Sequence, residues 1–342
     1  MIINISFLQN IWYILWCVIW GVYFVLDSFT LGIGLLSIKK RSDDRYIDLM
    51  IKCIAPFWGG NQVWLILAAG GTFAAFPIIF SKMFTWLYIP MMLLLFGLIL
   101  RGLSIELLHD EKEIKIKNIL KISWFVGSLI IIIVLGLFFS NLFFGLLIGS
   151  NYNYYGTFFS LINKYTILGT FVFSLLVLLS GSLWISYKTN NTISDEYWTI
   201  SKKISIIIPI IVSLFIIASF NINNFTVNYN EHIFLYIIPI VSLVFSLINL
   251  YIINVSKQKI NKKLYALFAN FITIIFLLFT GFVTLHPFIL KSSLDISYGV
   301  SIYTSSSSEL TLKLMFFSSL IFVPIVLAYQ LYSYILFKNK IE

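Results

Sequence analysis

The sequence predicts an all-α integral membrane protein with nine transmembrane helices. Three observations carry this. Hydrophobic residues fill 60% of 342 positions and charged residues only 11%, against roughly 25% charged in an ordinary soluble domain. Apolar stretches of about 20 residues, the length that crosses a bilayer, recur along the whole chain. The connections between them alternate sharply in positive charge.

The nine spans fall near 11–36, 57–80, 84–108, 122–148, 165–187, 204–222, 232–255, 264–290 and 314–337. Alternate connections carry Lys39, Lys40, Arg41, Arg45 and Lys52, then Lys112, Lys115, Lys117 and Lys121, then Lys188, Lys202 and Lys203, then Lys257, Lys259, Lys262 and Lys263, and last Lys338 and Lys340. The opposite side holds only Lys82, Lys164, Lys291 and Lys313. This bias places the N-terminus outside and the C-terminus in the cytoplasm; eight or ten helices would break the alternation. The first 36 residues lack a basic leader region, so the first span reads as a permanent helix.

The net charge of +9 does not point to nucleic acid, because the basic residues lie in short loops between apolar spans. Cys17 and Cys53 lack zinc or redox spacing and read as buried, inert thiols. The many aromatic residues read as lipid-facing bulk and interfacial belts. No phosphate loop, nucleophile constellation or zinc motif is present. The histidines, His109, His232 and His286, sit in a loop or at span ends. None lies mid-span, where a haem-binding bundle places its ligands, so the chain alone is not expected to bind haem or metal.

The most informative stretch is Pro56–Pro77, PFWGGNQVWLILAAGGTFAAFP. Amide side chains are costly in a bilayer, so Asn61 and Gln62 need a reason there. Gly59, Gly60, Gly70 and Gly71, with the neighbouring alanines, suit a closely packed inner helix. Asp27 is the one acid well inside a span, about 13 Å from the cytoplasmic end of the first helix at 1.5 Å per residue. Arg101 and Glu106 close the third span. Asp27, Asn61, Gln62, Arg101 and Glu106 can therefore meet at one depth on the cytoplasmic side. Two readings stay open: a polar network holding three helices in register, or a site of proton uptake.

These motifs together resemble one family. FVLDSFTLGIGLL (24–36), Trp58-Gly59-Gly60-Asn61-Gln62-Val63-Trp64 followed by AAGGTFAAFP, LILRGLSIEL (98–107), and at the end PFILKSS, TSSSSELTLKLM and FVPIVLAYQLYSY are similar to subunit II of cytochrome bd-type quinol oxidases. The match reaches both ends, while about 120–260 is matched mainly by hydropathy. The resemblance implies two four-helix bundles (1–148 and 149–290), then an outer loop and a peripheral ninth helix (291–342). It implies a partner, subunit I, that holds haem b and haem d and the quinol site. A small single-helix accessory subunit, lipid and quinone are further partners of such a complex. The complex would lie in the bacterial cytoplasmic membrane, oxidise quinol, reduce oxygen to water and take protons from the cytoplasm. Subunit II would support assembly and line part of the proton path.

Asp27, Asn61, Trp64, Arg101 and Glu106 match the family pattern. Four positions depart from it. The acid after Trp58 is replaced by Gly59, Gln62 is neutral where many members carry Glu, Thr30 stands where many carry a second acid, and the Arg after Glu106 is missing. The alternative from another class is a multi-helix secondary transporter, which predicts discontinuous helices around a polar site near the midplane.

Overall fold

The computed structural model describes residues 4–108, 110–255 and 260–341. The helices are α1 (Ile5–Ser37), α2 (Asp44–Ile54), α3 (Trp58–Ala75), α4 (Pro77–Trp86), α5 (Tyr88–Leu107), α6 (Ile114–Phe144), α7 (Lys164–Lys188), α8 (Asn191–Phe220), α9 (Val227–Glu231), α10 (Ile237–Val255), α11 (Ile260–Leu285), α12 (Ile302–Ser305) and α13 (Glu309–Leu336). Eight helices among the described residues are long and apolar enough to cross a membrane, or nine if α3 and α4 count as one broken span.

That break corrects the second expected span, 57–80. The helix stops at Ala75, and α4 leaves at 117° to α3. Pro77 has no N–H to donate, and its ring disfavours a helical residue before it. Phe76 accordingly sits at φ −134°, ψ 65°. The sequence reading also missed α2, a short amphipathic helix. Asp43 caps it, and Ile47, Met50, Ile51 and Ile54 form its buried stripe at helical spacing.

The core is built around α1, which packs against α3, α6, α7 and α11. Close approach is what α1's small residues allow: a Cβ at Gly32 would stand 2.1 Å from the Val177 carbonyl oxygen of α7. Aromatic rings fill the centre rather than only the lipid face. Phe24 meets Phe139 at 4.9 Å and Phe173 at 4.8 Å, and Trp20 meets Phe139 at 4.8 Å between centroids. Such pairs add to burial through edge-to-face geometry. Cys17 and Cys53 are buried and unbridged, as expected.

At the other end, the loop after α6 is stitched to the loop before α12. Strands β1 (Phe288–Leu290) and β2 (Val300–Ser301) pair antiparallel. The Leu146 N–H donates to the Lys291 carbonyl at 2.8 Å. Gly145, at φ 101°, makes the turn, and a Cβ there would press within 2.9 Å of the Ser293 nitrogen; glycine alone adopts this backbone without penalty.

Several helices are incompletely covered, α13 most of all. On α3, Asn61, Trp64, Leu65, Ala68, Thr72 and Ala75 are buried, while Gly59, Val63, Ile66, Leu67, Gly70 and Phe73 are exposed. It is therefore not the enclosed inner helix its small residues suggested; within this chain it lies at an edge. α13 packs mainly on α1 and α3 and buries only Leu312 and Gln330.

Candidate functional site

The site begins with a charge pair. Asp27 on α1 and Arg101 on α5 are both fully buried. The guanidinium donates two parallel bonds, Nη1 to Oδ2 at 2.8 Å and Nη2 to Oδ1 at 3.0 Å. Thr30, one turn on, donates its hydroxyl to Asp27 Oδ1 as well. This fork-on-fork geometry is the strong form of the interaction. Arg101 belongs to the buried stripe of α5, with Gly97, Ser104 and Ile105. Helical spacing thus points it inward, and only a carboxylate at matching depth could satisfy it. The Arg101 Nε and the Trp64 indole N–H are buried without a partner among the described residues, and the Tyr23 hydroxyl lies against Asp27.

Asn61 joins a second cluster to the first. Its Nδ2 donates to the Leu26 carbonyl at 2.7 Å, on the peptide that precedes Asp27. Its Oδ1 accepts from Gln330 Nε2 at 2.9 Å and from the Tyr334 hydroxyl at 3.1 Å. Tyr334 stacks on Phe57 at 4.5 Å, and Phe29 stacks on Trp184 at 4.2 Å beside them. Four helices, α1, α3, α5 and α13, therefore meet in one polar region framed by aromatic rings.

Not every expected residue joins. Asp27, Asn61 and Arg101 come together. Glu106 is exposed on the outward side of α5, and Gln62 is half-exposed. Trp64 is buried, whereas Trp58 is only partly so, with its ring 3.9 Å from where a Gly102 Cβ would stand. Nothing lies within 4 Å of a Cβ placed at Gly59, Gly70 or Gly71, and a Cβ at Gly60 would meet Gln330 Oε1 at 3.3 Å. Gly70 and Gly71 thus do no packing inside this chain. Gln330 and Tyr334 were not singled out from the sequence. A glutamine within an otherwise apolar span was the available signal, masked there by flanking tyrosines.

The cavities are mostly apolar. The groove between α1, α3, α4, α5 and α6 holds 310 Å³ and is lined by Trp20, Leu65, Met83, Met91 and Phe138 among others. It offers thioethers but no imidazole. His286 is half-buried at the end of α11 and bonds Asn10 at 2.7 Å, His232 is exposed, and His109 lies outside the described residues. Among the described residues no group of three or more His, Cys, Asp or Glu is placed to hold a metal ion.

The fold and site define a polytopic membrane protein with a buried charge pair and an uncovered helix face. The profile of the family described as cytochrome bd terminal oxidase subunit II matches residues 8–337. The chain belongs to this family, and so is a subunit of a membrane quinol oxidase, an oxidoreductase complex. It is 31% identical to the probable cytochrome oxidase subunit 2 of Haemophilus influenzae, over 97% of this chain and 94% of that one. It is 28% identical to the cytochrome bd ubiquinol oxidase subunit 2 of Bacillus subtilis, over 98% and 97%. With the cytochrome bd-I ubiquinol oxidase subunit 2 of Escherichia coli the identity is 26%, over 97% and 94%. In the structure of the bd oxidase from Geobacillus thermodenitrificans, one chain shares the fold at a TM-score of 0.78 and 14% identity, covering 97% of this chain and 99% of that one.

Proposed function

We propose that this chain is the scaffold and proton-side subunit of a heterodimer that oxidises quinol and reduces oxygen to water. Its partner is a subunit I that carries haem b and haem d. The N-terminus lies outside and the C-terminus in the cytoplasm, in a bacterial cytoplasmic membrane. The observation that carries this reading is the uncovered face of α3, beside an α13 that is the least buried of the candidate spans. Gly59, Gly70 and Gly71 on that face are glycines with no neighbour in their own chain. Small residues at membrane helix surfaces permit another backbone to come close. Lipid and a small accessory helix occupy the remaining surface.

In this reading Asp27 is a fixed clamp and not a proton carrier. Both of its oxygens are bonded, and protonating it would strand a buried guanidinium. Protons from the cytoplasm pass instead along the seam beside Gly59, with Asn61, Gln62 and Glu106 lining it and water standing in place of the acid absent at Gly59. The open space around Gly59 supports water there.

The test is co-purification. With Gly70→Trp, tagged chain should still insert and fold, because its own structure has room, but should lose subunit I and the haem absorption bands. Retention of a full-strength haem spectrum in Gly70→Trp would remove α3 from the docking surface.

A further inference from the structure

Both ends of the Asn61 amide are engaged, and the two ends are held by different helices. The oxygen takes two donors from α13, at 2.9 and 3.1 Å, and the nitrogen gives one bond to α1, at 2.7 Å. A flipped amide would turn its oxygen toward the Leu26 carbonyl, which can only accept, and lose that bond, whereas the Gln330 amide and the Tyr334 hydroxyl can each accept as well as donate. The Leu26 carbonyl therefore selects the orientation of Asn61, and the last helix holds the oxygen end in place. The Leu26 carbonyl is next to Asp27 in the chain, and Asp27 is locked to Arg101. Gln330 and Tyr334 thus act at one end of a bonded series that runs from α13 through α3 and α1 to α5.

Gln330 and Tyr334 stand where the fold gives them little other reason to be polar. Gln330 is one of only two buried residues on α13, at a depth where an amide is expensive unless bonded. Its Oε1 lies 3.3 Å from the position of a Gly60 Cβ. The neighbouring Gly59 opens on free space. An amide oxygen is therefore held at the rim of the open surface, one residue from its glycine.

We propose that Gln330 and Tyr334 are positioning residues for proton delivery through this subunit. They fix the Asn61 amide, and with it the polar rim at Gly59–Gln62 that passes protons toward the partner. This rests on the proton-side reading given above. It adds that the peripheral helix, which carries no charge in its lower half, sets the geometry of that path.

The experiment uses the assembled oxidase. Tyr334→Phe keeps the ring stacked on Phe57 and removes only the hydroxyl; Tyr334→Phe with Gln330→Met removes both donors; Asn61→Leu removes the amide they hold. Each is assayed for haem spectrum, for kcat and KM with quinol, and for kcat against pH. The double variant should assemble with an unchanged haem spectrum and KM, while kcat falls by about tenfold, the scale of a misplaced catalytic arrangement. The fall should steepen toward alkaline pH, where protons are scarce. Wild-type kcat with an unaltered pH profile in the double variant, beside a slowed Asn61→Leu, overturns the positioning role alone. Wild-type kcat in Asn61→Leu as well overturns the proton-side reading itself. Failure of Tyr334→Phe to assemble would also overturn the proposal, since the hydroxyl would then serve the scaffold.

Discussion

Helices α1 and α3 read alike in sequence, apolar with paired glycines and a polar residue toward the ends that α2 links, yet the fold uses them oppositely. The small residues of α1 are consumed inside the chain: a Cβ at Gly32 would stand 2.1 Å from Val177 O and 2.9 Å from Gly181 Cα. Those of α3 meet nothing within 4 Å at Gly59, Gly70 and Gly71. The polar residues differ in the same way. Asp27 has a full set of partners within its own chain, whereas Gln62, beside Asn61, has none among the described residues. A glycine or amide in a membrane helix thus marks a close contact without saying whose surface completes it.

The contrast is broken most severely at Asp27. Asp27→Leu leaves Arg101 buried and unpaired, which should destabilise the chain by about 3–5 kcal/mol and prevent the complex from accumulating. The double variant Asp27→Leu with Arg101→Leu replaces both charges with packing volume and should recover most of that loss. Thermal unfolding of the purified subunit checks it. A single variant as stable as the double one would mean that the pair is not a clamp.

Gly32→Ala comes next. Its methyl would collide with backbone, which cannot rotate away, so α1 and α7 must separate, at about 1–3 kcal/mol for overpacking a filled site. Gly71→Ala should cost nothing measurable in the isolated chain. If the two glycines responded equally to alanine in the same unfolding assay, the division between consumed and open surfaces would not hold.

The spans were legible because a bilayer demands length and apolarity and nothing else can supply them. The meeting of Asp27, Asn61 and Arg101 was legible because polar groups at one depth must find each other. Glu106 was drawn into that group by depth alone, and depth does not fix azimuth: it lies one residue past Ile105 on the buried stripe of α5, and so faces out. Gln330 and Tyr334 escaped notice because an amphipathic tyrosine reads as an interfacial belt residue. The break at Phe76 was written in the sequence as X-Pro but was overruled by continuous hydropathy. Which faces stay open was not legible, since close contact within a chain and between chains asks for the same small residues.

A second buried cation sharpens the lesson about partners. Lys291, in the loop after β1, is 2% exposed and gives its ammonium one acceptor, the Asn224 carbonyl at 3.0 Å, with no carboxylate in salt-bridge range among the described residues. Burial pushes its pKa from 10.5 down to about 8. A lysine depressed in the folded state binds fewer protons there than in the unfolded chain, so stability rises with pH between those two values. Below about pH 8 the burial penalty is fully present. Lys291→Met should therefore raise the melting temperature by a few degrees at pH 7, on the order of 1 kcal/mol. The gain over the parent chain should shrink as pH climbs from 8 to 10.5. A gain that persists unchanged at pH 10.5 would mean that methionine packs better there and that the charge was never the burden.

A small effect on stability is expected at Gly59, and it separates packing from chemistry most cleanly. Gly59→Asp adds a side chain where nothing lies within 4 Å, so no clash is introduced. The residue sits in the first turn of α3, which begins at Trp58 and has no acid there and no side-chain cap. A carboxylate at that point faces unsatisfied N–H groups and the positive end of the helix dipole, worth about 0.3–1 kcal/mol. The isolated chain should therefore be as stable as the parent or slightly more so. The same carboxylate would stand on the open surface, next to the residue that touches Gln330, where we place water in the proton path. Turnover of the assembled oxidase should rise if that water is the slow element, and the rise should be largest at alkaline pH. A stabilised chain with unchanged turnover would show that the helix gained its cap while protons travel elsewhere, leaving α3 as docking surface alone.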